Sequence, residues 1–382
     1  MLTATGGPTR SRTRLSRLAL ATVLPLLLSA ACGYGSERPS DAVPAALPGD
    51  PLSVDEVRIG YFPNLSHATA LVGVEEGLIQ RELGGTRLRT STFTAGPSEI
   101  EALNAGSVDI AWIGPSPTVN GYVRTGGNAL RIIAGSASGG VKLVVDPEKI
   151  KTLDDLEGKR IATPQLGNTQ DVAFLNWVSE KGWKVDAQSG KGDVSVVRTG
   201  TKVAPDAYRT GAVDGAWMPE PTASYLVAEG ASVLLDESDL WPGGSFVTTH
   251  VIVSRTFLGE HPDVVEAVLR GSVRTNAWIA ADGDRAKASA NAALKRLTGR
   301  ALPPEVLDPA WASIEVTNDP MPATLRTQAD HAVRAGLLEE ADLTGIYDLG
   351  PLHRVLRQDG RPPLPADEQP LPTDTRQTTP RR

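Results

Sequence analysis

Short apolar runs alternate with stretches whose apolar positions fall at helical spacing. Residues 57–62, 88–93, 108–113, 130–134, 143–145, 160–163, 194–198 and 215–218 read as strands. Between them, residues 68–76 and 172–181 carry the periodicity of amphipathic helices. Gly77 and Gly182 stand just beyond, where a left-handed cap ends a helix. Strands alternating with helices predict α/β layers with largely parallel sheets.

A weak internal repeat organises this pattern. Gly106-Ser107-Val108-Asp109-Ile110-Ala111-Trp112 returns 105 positions later as Gly211-Ala212-Val213-Asp214-Gly215-Ala216-Trp217. Each copy is followed by Pro-x-Pro-Thr, at 115–118 and 219–222. In both, a glycine ends a helix, a strand starts at Val-Asp, and a proline-marked loop opens the next helix. Two lobes of like topology, each offering the same loop, predict a cleft between them.

The chain ends differ from the body. Arg10, Arg12, Arg14 and Arg17 precede an apolar run, 18–28, that is too short to span a bilayer and is broken by Pro25. Ser29, Ala30 and Ala31 then lead to Cys32, an order that resembles the bacterial lipoprotein signal, with Leu28 four residues before the cysteine where three is usual. Residues 1–31 read as the signal peptide, Cys32 as the lipidation site and 32–54 as a flexible tether. The Pro-, Thr- and Arg-rich segment 359–382 reads as a disordered tail. Cys32 is the only cysteine, so the body must hold together without an internal disulfide.

Composition narrows the function. The 382 residues suffice for two lobes, and a net charge of −7 without a basic stripe argues against nucleic acid as a partner. There is no phosphate-binding GxxxxGK[ST] loop, no HExxH pair, no complete nucleophile elbow and no cluster with metal-ligand spacing. The sequence therefore predicts no metal, no cofactor and no catalytic residue.

Candidate binding groups gather where strands lead into helices, since helix N-termini offer unpaired N–H groups and partial positive charge. Asn64 or Ser66 could cap the helix after residue 62, while His67 could donate to an anion or pack on its loop. Gly96 and Pro97 bring backbone close to a ligand, and Ser98 with Glu101 has capping-box spacing. Gly114 precedes Ser116, which could cap a helix or offer a hydroxyl. Gln165, Gly167, Asn168, Thr169 and Gln170 form the densest run of uncharged hydrogen-bonding groups, more than one cap requires. Trp217 could wall a cleft or fill a core, and Glu220 could receive a cationic group.

Four of these segments resemble the aliphatic sulfonate, taurine and nitrate-type binding proteins of ABC importers. They are Tyr61-Phe62-Pro63-Asn64, the run from Asp109 to Pro115, the run from Ile161 to Thr169, and Ala216-Trp217-Met218-Pro219-Glu220-Pro221. The likeness continues through 246–250, 260–265 and 345–349. It implies an α/β, two-lobed periplasmic-binding-protein-like fold of type II, with residues 55–135 plus 248–358 as one lobe and 136–247 as the other. Crossovers are expected near 134–141 and 245–251, with the C-terminal segment returning to the first lobe. Ser136, Ser138 and Thr249 then become cleft residues. The implied role is an extracytoplasmic, monomeric carrier, lipid-anchored to the outer face of the cell membrane. It would deliver a small sulfonate-like anion or zwitterion to a permease and its ATPase. No arginine appears at the strand–helix junctions, so neutral donors must do the recognition, and Glu220 would favour a zwitterion. Two other roles fit the same fold: a pyrimidine-precursor synthase of thiamine biosynthesis, which Pro63-Asn64 and His67 resemble, and a surface receptor without transport. The export signal speaks against the synthase.

Overall fold

The computed structural model describes residues 51–364. The expected signal peptide, Cys32, most of the tether and the tail from residue 365 lie outside the described residues.

Eleven strands occur among the described residues: β1 (Glu56–Tyr61), β2 (Arg87–Thr92), β3 (Ile110–Ile113), β4 (Leu130–Gly139), β5 (Val141–Val145), β6 (Arg160–Thr163), β7 (Ser195–Arg198), β8 (Gly215–Pro219), β9 (Ser232–Asp236), β10 (Val247–Ser254) and β11 (Ile314–Val316). They form two sheets, ordered β11-β4-β10-β3-β1-β2 and β7-β6-β8-β5-β9. In the first sheet β1 runs parallel to β2 and β3, and in the second β6 runs parallel to β7 and β8. The order 2-1-3 thus recurs as 7-6-8, which is the duplication announced by the repeat.

The expectation of largely parallel sheets needs correction. β10 is antiparallel to β3 and β4, and β5 is antiparallel to β8 and β9. Each of these strands enters its sheet from the opposite lobe, so it arrives against the direction of the parallel core. The first passage lies at Gly139–Gly140, because β4 stays paired in the first sheet through Gly139. That is within the expected crossover region but beyond residue 135. Both glycines have positive φ, +76° and +73°, and a β-carbon on Gly140 would lie 2.5 Å from Ile314. The return passage is the 237–246 link between β9 and β10.

Each sheet buries both faces. Val57, Ile59, Trp112, Val251 and Val253 pack on one side of the first sheet with helices Ala68–Glu75 and Pro262–Ala281; Ala111, Ile113, Ile132 and Ile252 pack on the other. In the second sheet, Leu143, Ile161 and Trp217 meet Phe174 and Trp177 of helix Thr169–Glu180, while Ala162, Ala216 and Met218 meet helix Thr222–Ala228. The C-terminal segment does return to the first sheet, through β11 and helix Gly350–Gln358. It also reaches the second: helix Pro304–Ala312 packs on Thr222–Ala228, and helix Pro322–Arg334 packs on both Pro115–Arg124 and Thr169–Glu180.

The repeat carries the same ion pair twice. Asp109 accepts the Arg58 backbone N–H at 2.8 Å and its Nε at 3.0 Å, while Asp214 accepts the Arg160 backbone N–H and Nε at 3.0 Å each. Each aspartate just ahead of a central strand therefore pins the start of its parallel neighbour. Burial alone would raise the Asp214 carboxyl, but the Arg160 side chain and backbone, with Lys149, hold it down at about 2.

Asp214→Asn should lower the unfolding free energy in urea by about 1–3 kcal/mol, the worth of charge-assisted bonds in a mostly buried setting. Because the folded carboxyl sits at about 2 against an ordinary 3.8, that stabilisation is complete above the ordinary value and disappears as pH falls through the folded one. The variant's stability should accordingly vary less with pH across this acid window than the parent's.

Candidate functional site

The loops at the carboxyl ends of the parallel strands meet between the two sheets. Gly96 N–H, after β2, donates to Asn168 Oδ1, after β6, at 3.3 Å. Leu65 N–H, after β1, donates to the Glu220 carbonyl, after β8, at 3.3 Å. A β-carbon on Gly114 would lie 2.5 Å from Thr169 Oγ1, and one on Gly96 would overlap Pro117. These two positions need glycine because another backbone or side chain occupies the space.

Around this meeting point sit four buried hydroxyls with no hydrogen-bond partner: Ser116, Ser136, Thr169 and Thr249. Ser136 and Thr249 are 0% exposed, and Ser116 and Thr169 are 5% exposed. Strand register links them. Thr249 pairs with Ala137, next to Ser136, while His250 pairs with Ile113, the residue before Gly114. Gly114 in turn abuts Thr169, and Ser116 lies in the first turn of helix Pro115–Arg124. A buried donor without a partner costs about 1–3 kcal/mol, so four such groups at one junction are hard to reconcile with a purely structural role.

The 163–170 loop is held by a residue the sequence reading passed over. Asp171, fully buried, accepts from Thr163 Oγ1 at 2.7 Å, Gly167 N–H at 3.1 Å and Arg198 Nε at 2.9 Å. A single acid inside an apolar helix start was its visible signal. Asn168 donates to Gln170 Oε1 at 3.1 Å, so this pair braces itself and aims Asn168 Oδ1 at Gly96. Gln165 is exposed, and its carbonyl closes the turn onto Asn168 N–H.

Other candidates have different work. His67 packs flat on Phe62, ring centres 4.5 Å apart, and Nδ1 accepts Phe62 N–H at 3.2 Å. Burial pushes its pKa down to about 3, so it is neutral at physiological pH and offers an anion no charge. Asn64 accepts from Ser66 Oγ at 2.8 Å and lines a neighbouring cavity of about 450 Å³. The capping box at Ser98 does not form. Helix Gly96–Asn104 starts earlier, with Pro97 in its first turn, and Ser98 Oγ donates to the Ala95 carbonyl at 2.9 Å. Ser138 Oγ is engaged by Phe246 N–H at 3.2 Å and fastens the return passage.

Two expectations are overturned. Trp217 is not a cleft wall: it is 0% exposed, stands 5.6 Å from Phe174 and 5.8 Å from Trp177, and donates Nε1 to Glu237 at 2.6 Å. Its place on β8 turns the ring into the core of the second sheet. Glu220 is not free for a cation on a ligand, because Lys142 Nζ meets it at 2.5 Å and Ser224 occupies it through N–H and Oγ. Lys142 lies on β5, the neighbouring strand, a partner that local sequence reading could not supply. Glu220 thus says nothing about ligand charge.

Residues 50–294 match the model of the NMT1-like family. A putative binding protein of Brucella abortus (strain 2308) is 27% identical over 216 residues, which are 56% of this chain and 63% of that protein. The match thus spans less than two thirds of that relative's length. The taurine-binding periplasmic protein of Escherichia coli (strain K12) is 26% identical over 60% of this chain and 68% of its own. Among solved structures, the alkanesulfonate-binding protein SsuA from Xanthomonas axonopodis pv. citri, bound to MOPS, superposes with a TM-score of 0.61 at 23% identity, covering 75% of this chain and 95% of that one. That likeness establishes the two-lobed α/β fold.

Asp171→Asn should release Arg198, which is 16% exposed, from its buried partner and destabilise the protein by about 3 kcal/mol in chemical denaturation. Hydrogen exchange of the Gly167 amide should speed up in the same variant.

Proposed function

The chain belongs to the NMT1-like family, and on that premise we propose that it is the extracytoplasmic substrate-binding component of an ABC importer, taking a small organic sulfonate between its lobes. The observation that carries this reading is the set of partnerless hydroxyls at Ser116, Ser136, Thr169 and Thr249, contributed by both sides of the gap. A sulfonate presents three acceptor oxygens and no proton at neutral pH, which suits a ring of hydroxyl donors. The first turn of helix Pro115–Arg124 adds favourable dipole without requiring a cation. The taurine and alkanesulfonate names of the relatives support the same class.

Binding would proceed by closure about the two passages between the sheets. Ligand contacts from both lobes favour the closed form over the open one, which is the differential affinity that hinge closure needs. The Gly96–Asn168 and Leu65–Glu220 hydrogen bonds then latch the lobes. The closed carrier would dock on a permease driven by an ATPase, as a monomer held to the membrane through lipidated Cys32. No helix among the described residues is long and apolar enough to cross a membrane.

Calorimetry of the purified protein against methanesulfonate, taurine, methylphosphonate and nitrate should give micromolar affinity for a sulfonate, about −8 kcal/mol, and weaker binding of the others. No heat with any sulfonate would sink the assignment. Thr169→Val and Ser116→Ala should each weaken sulfonate binding about five- to tenfold, the loss of one hydrogen bond to a charged group. They should leave the ligand-free melting temperature unchanged or raise it, since each deletes an unsatisfied buried group; a structural hydroxyl would move it the other way. Cys32→Ala should shift the protein from the membrane fraction to the medium.

A further inference from the structure

Beside the hydroxyl cluster, both lobes project into the cavity of about 450 Å³. Phe62 and Phe93, from the ends of β1 and β2, and Tyr225 of helix Thr222–Ala228 line it from the two lobes. Phe62 is fixed by its stack on His67 and by burial to 8% exposure, so one wall is rigid. The space begins at Thr94, two residues before the Gly96 that bonds Asn168. A sulfonate head of a few atoms has no need of it. A volume of several hundred Å³ with aromatic walls matches what a larger organic ligand fills.

The charges at its rim fit the same occupant. Lys202 and Arg300 are exposed, come from opposite lobes and make no ion pair among the described residues. Arg300 donates to the Tyr225 hydroxyl at 3.3 Å, across the gap. The rim's third cation, Arg209, is already held by Asp206 at 2.5 Å and Glu229 at 3.3 Å. In a chain of net charge −7, two exposed cations without an ion pair in the lining of one aromatic pocket create a local field for anions.

We propose that the ligand is an organosulfonate with an aromatic or comparably bulky body, the body lying against Phe62, Phe93 and Tyr225 while Lys202 and Arg300 draw its charge into the gap. This rests on the carrier reading above and narrows it. Its test compares methanesulfonate with naphthalenesulfonate on the full chain, by calorimetry and stopped-flow fluorescence. Naphthalenesulfonate should bind at least about tenfold tighter, from the apolar area it buries. Tyr225→Ala, or Phe93→Leu should the first variant fold poorly, should erase that preference while methanesulfonate binding stays as it was. Lys202→Gln combined with Arg300→Gln, both at exposed positions, should slow association several-fold and flatten its salt dependence with little change in dissociation. Equal affinity for the two sulfonates, or a preference that survives both aromatic variants, overturns this inference and leaves the carrier reading standing. Binding of neither sulfonate overturns both.

Discussion

Everything at the gap depends on a steric constraint: two loops approach more closely than side chains allow. Gly114 lies against Thr169, and Gly96 against Pro117 and Asn168. A β-carbon on Gly114 would push the two loops apart at Thr169, and one on Gly96 would collide with Pro117 of its own lobe and disturb the loop that donates to Asn168. At that close approach Ser116 and Thr169 are buried, with no protein partner for their hydroxyls. Dryness makes the hydroxyls costly on their own and valuable to an anion, because a hydrogen bond to a charge gains strength where water is excluded.

Charge at the site is handled by a division of labour. Two buried carboxylates beside the gap, Glu220 and Asp171, are each matched by a cation of their own lobe, Lys142 and Arg198, while Glu99, buried three residues after Gly96, is pushed by burial towards its neutral form. Such pairs add little net stability over apolar packing, but they hold the loop ends in fixed positions. In the proposed carrier the interior would meet a ligand with neutral donors, while Lys202 and Arg300 stand exposed at the rim, where solvent keeps their desolvation cost low. A neutral His67 belongs to the same arrangement: burial removes its charge and turns it into a plate that supports Phe62.

The parts legible in the sequence are those encoded locally. β6 falls on its expected residues, 160–163, and helix Ala68–Glu75 ends next to Gly77 as its cap predicts. The repeat around Asp109 and Asp214 was legible because a glycine turn, a pinned strand and a proline-started helix each leave a residue signature. Antiparallel β5 and β10 were not, since strand direction follows from which lobe the chain has just left, a non-local fact. Ser116 and Thr169 were visible as surplus donors at helix starts, and they remain partnerless in the structure. Trp217 and Glu220 misled because their outcomes depend on distant residues: Trp217 on Phe174, Trp177 and Glu237, and Glu220 on Lys142 from the next strand. Arg300 and Lys202, separated by nearly a hundred positions, could not be paired without the fold.

The duplication has a last consequence. Both halves carry the Arg–Asp pin and the 2-1-3 strand order, yet they equip the gap differently. At Gly114 the first half brings bare backbone and the second brings Thr169 into the space it leaves; at Gly96 that space holds Pro117 of the same half, and the second half meets the Gly96 N–H with Asn168 Oδ1. The aromatic cavity lies towards the β2 and β7 edges of the sheets, and residues 298 and 300–303 line it. In the proposed carrier, one closed state would combine a grip on a small polar group with room for a larger body beside it, because the hydroxyl cluster and the cavity are lined by different residues.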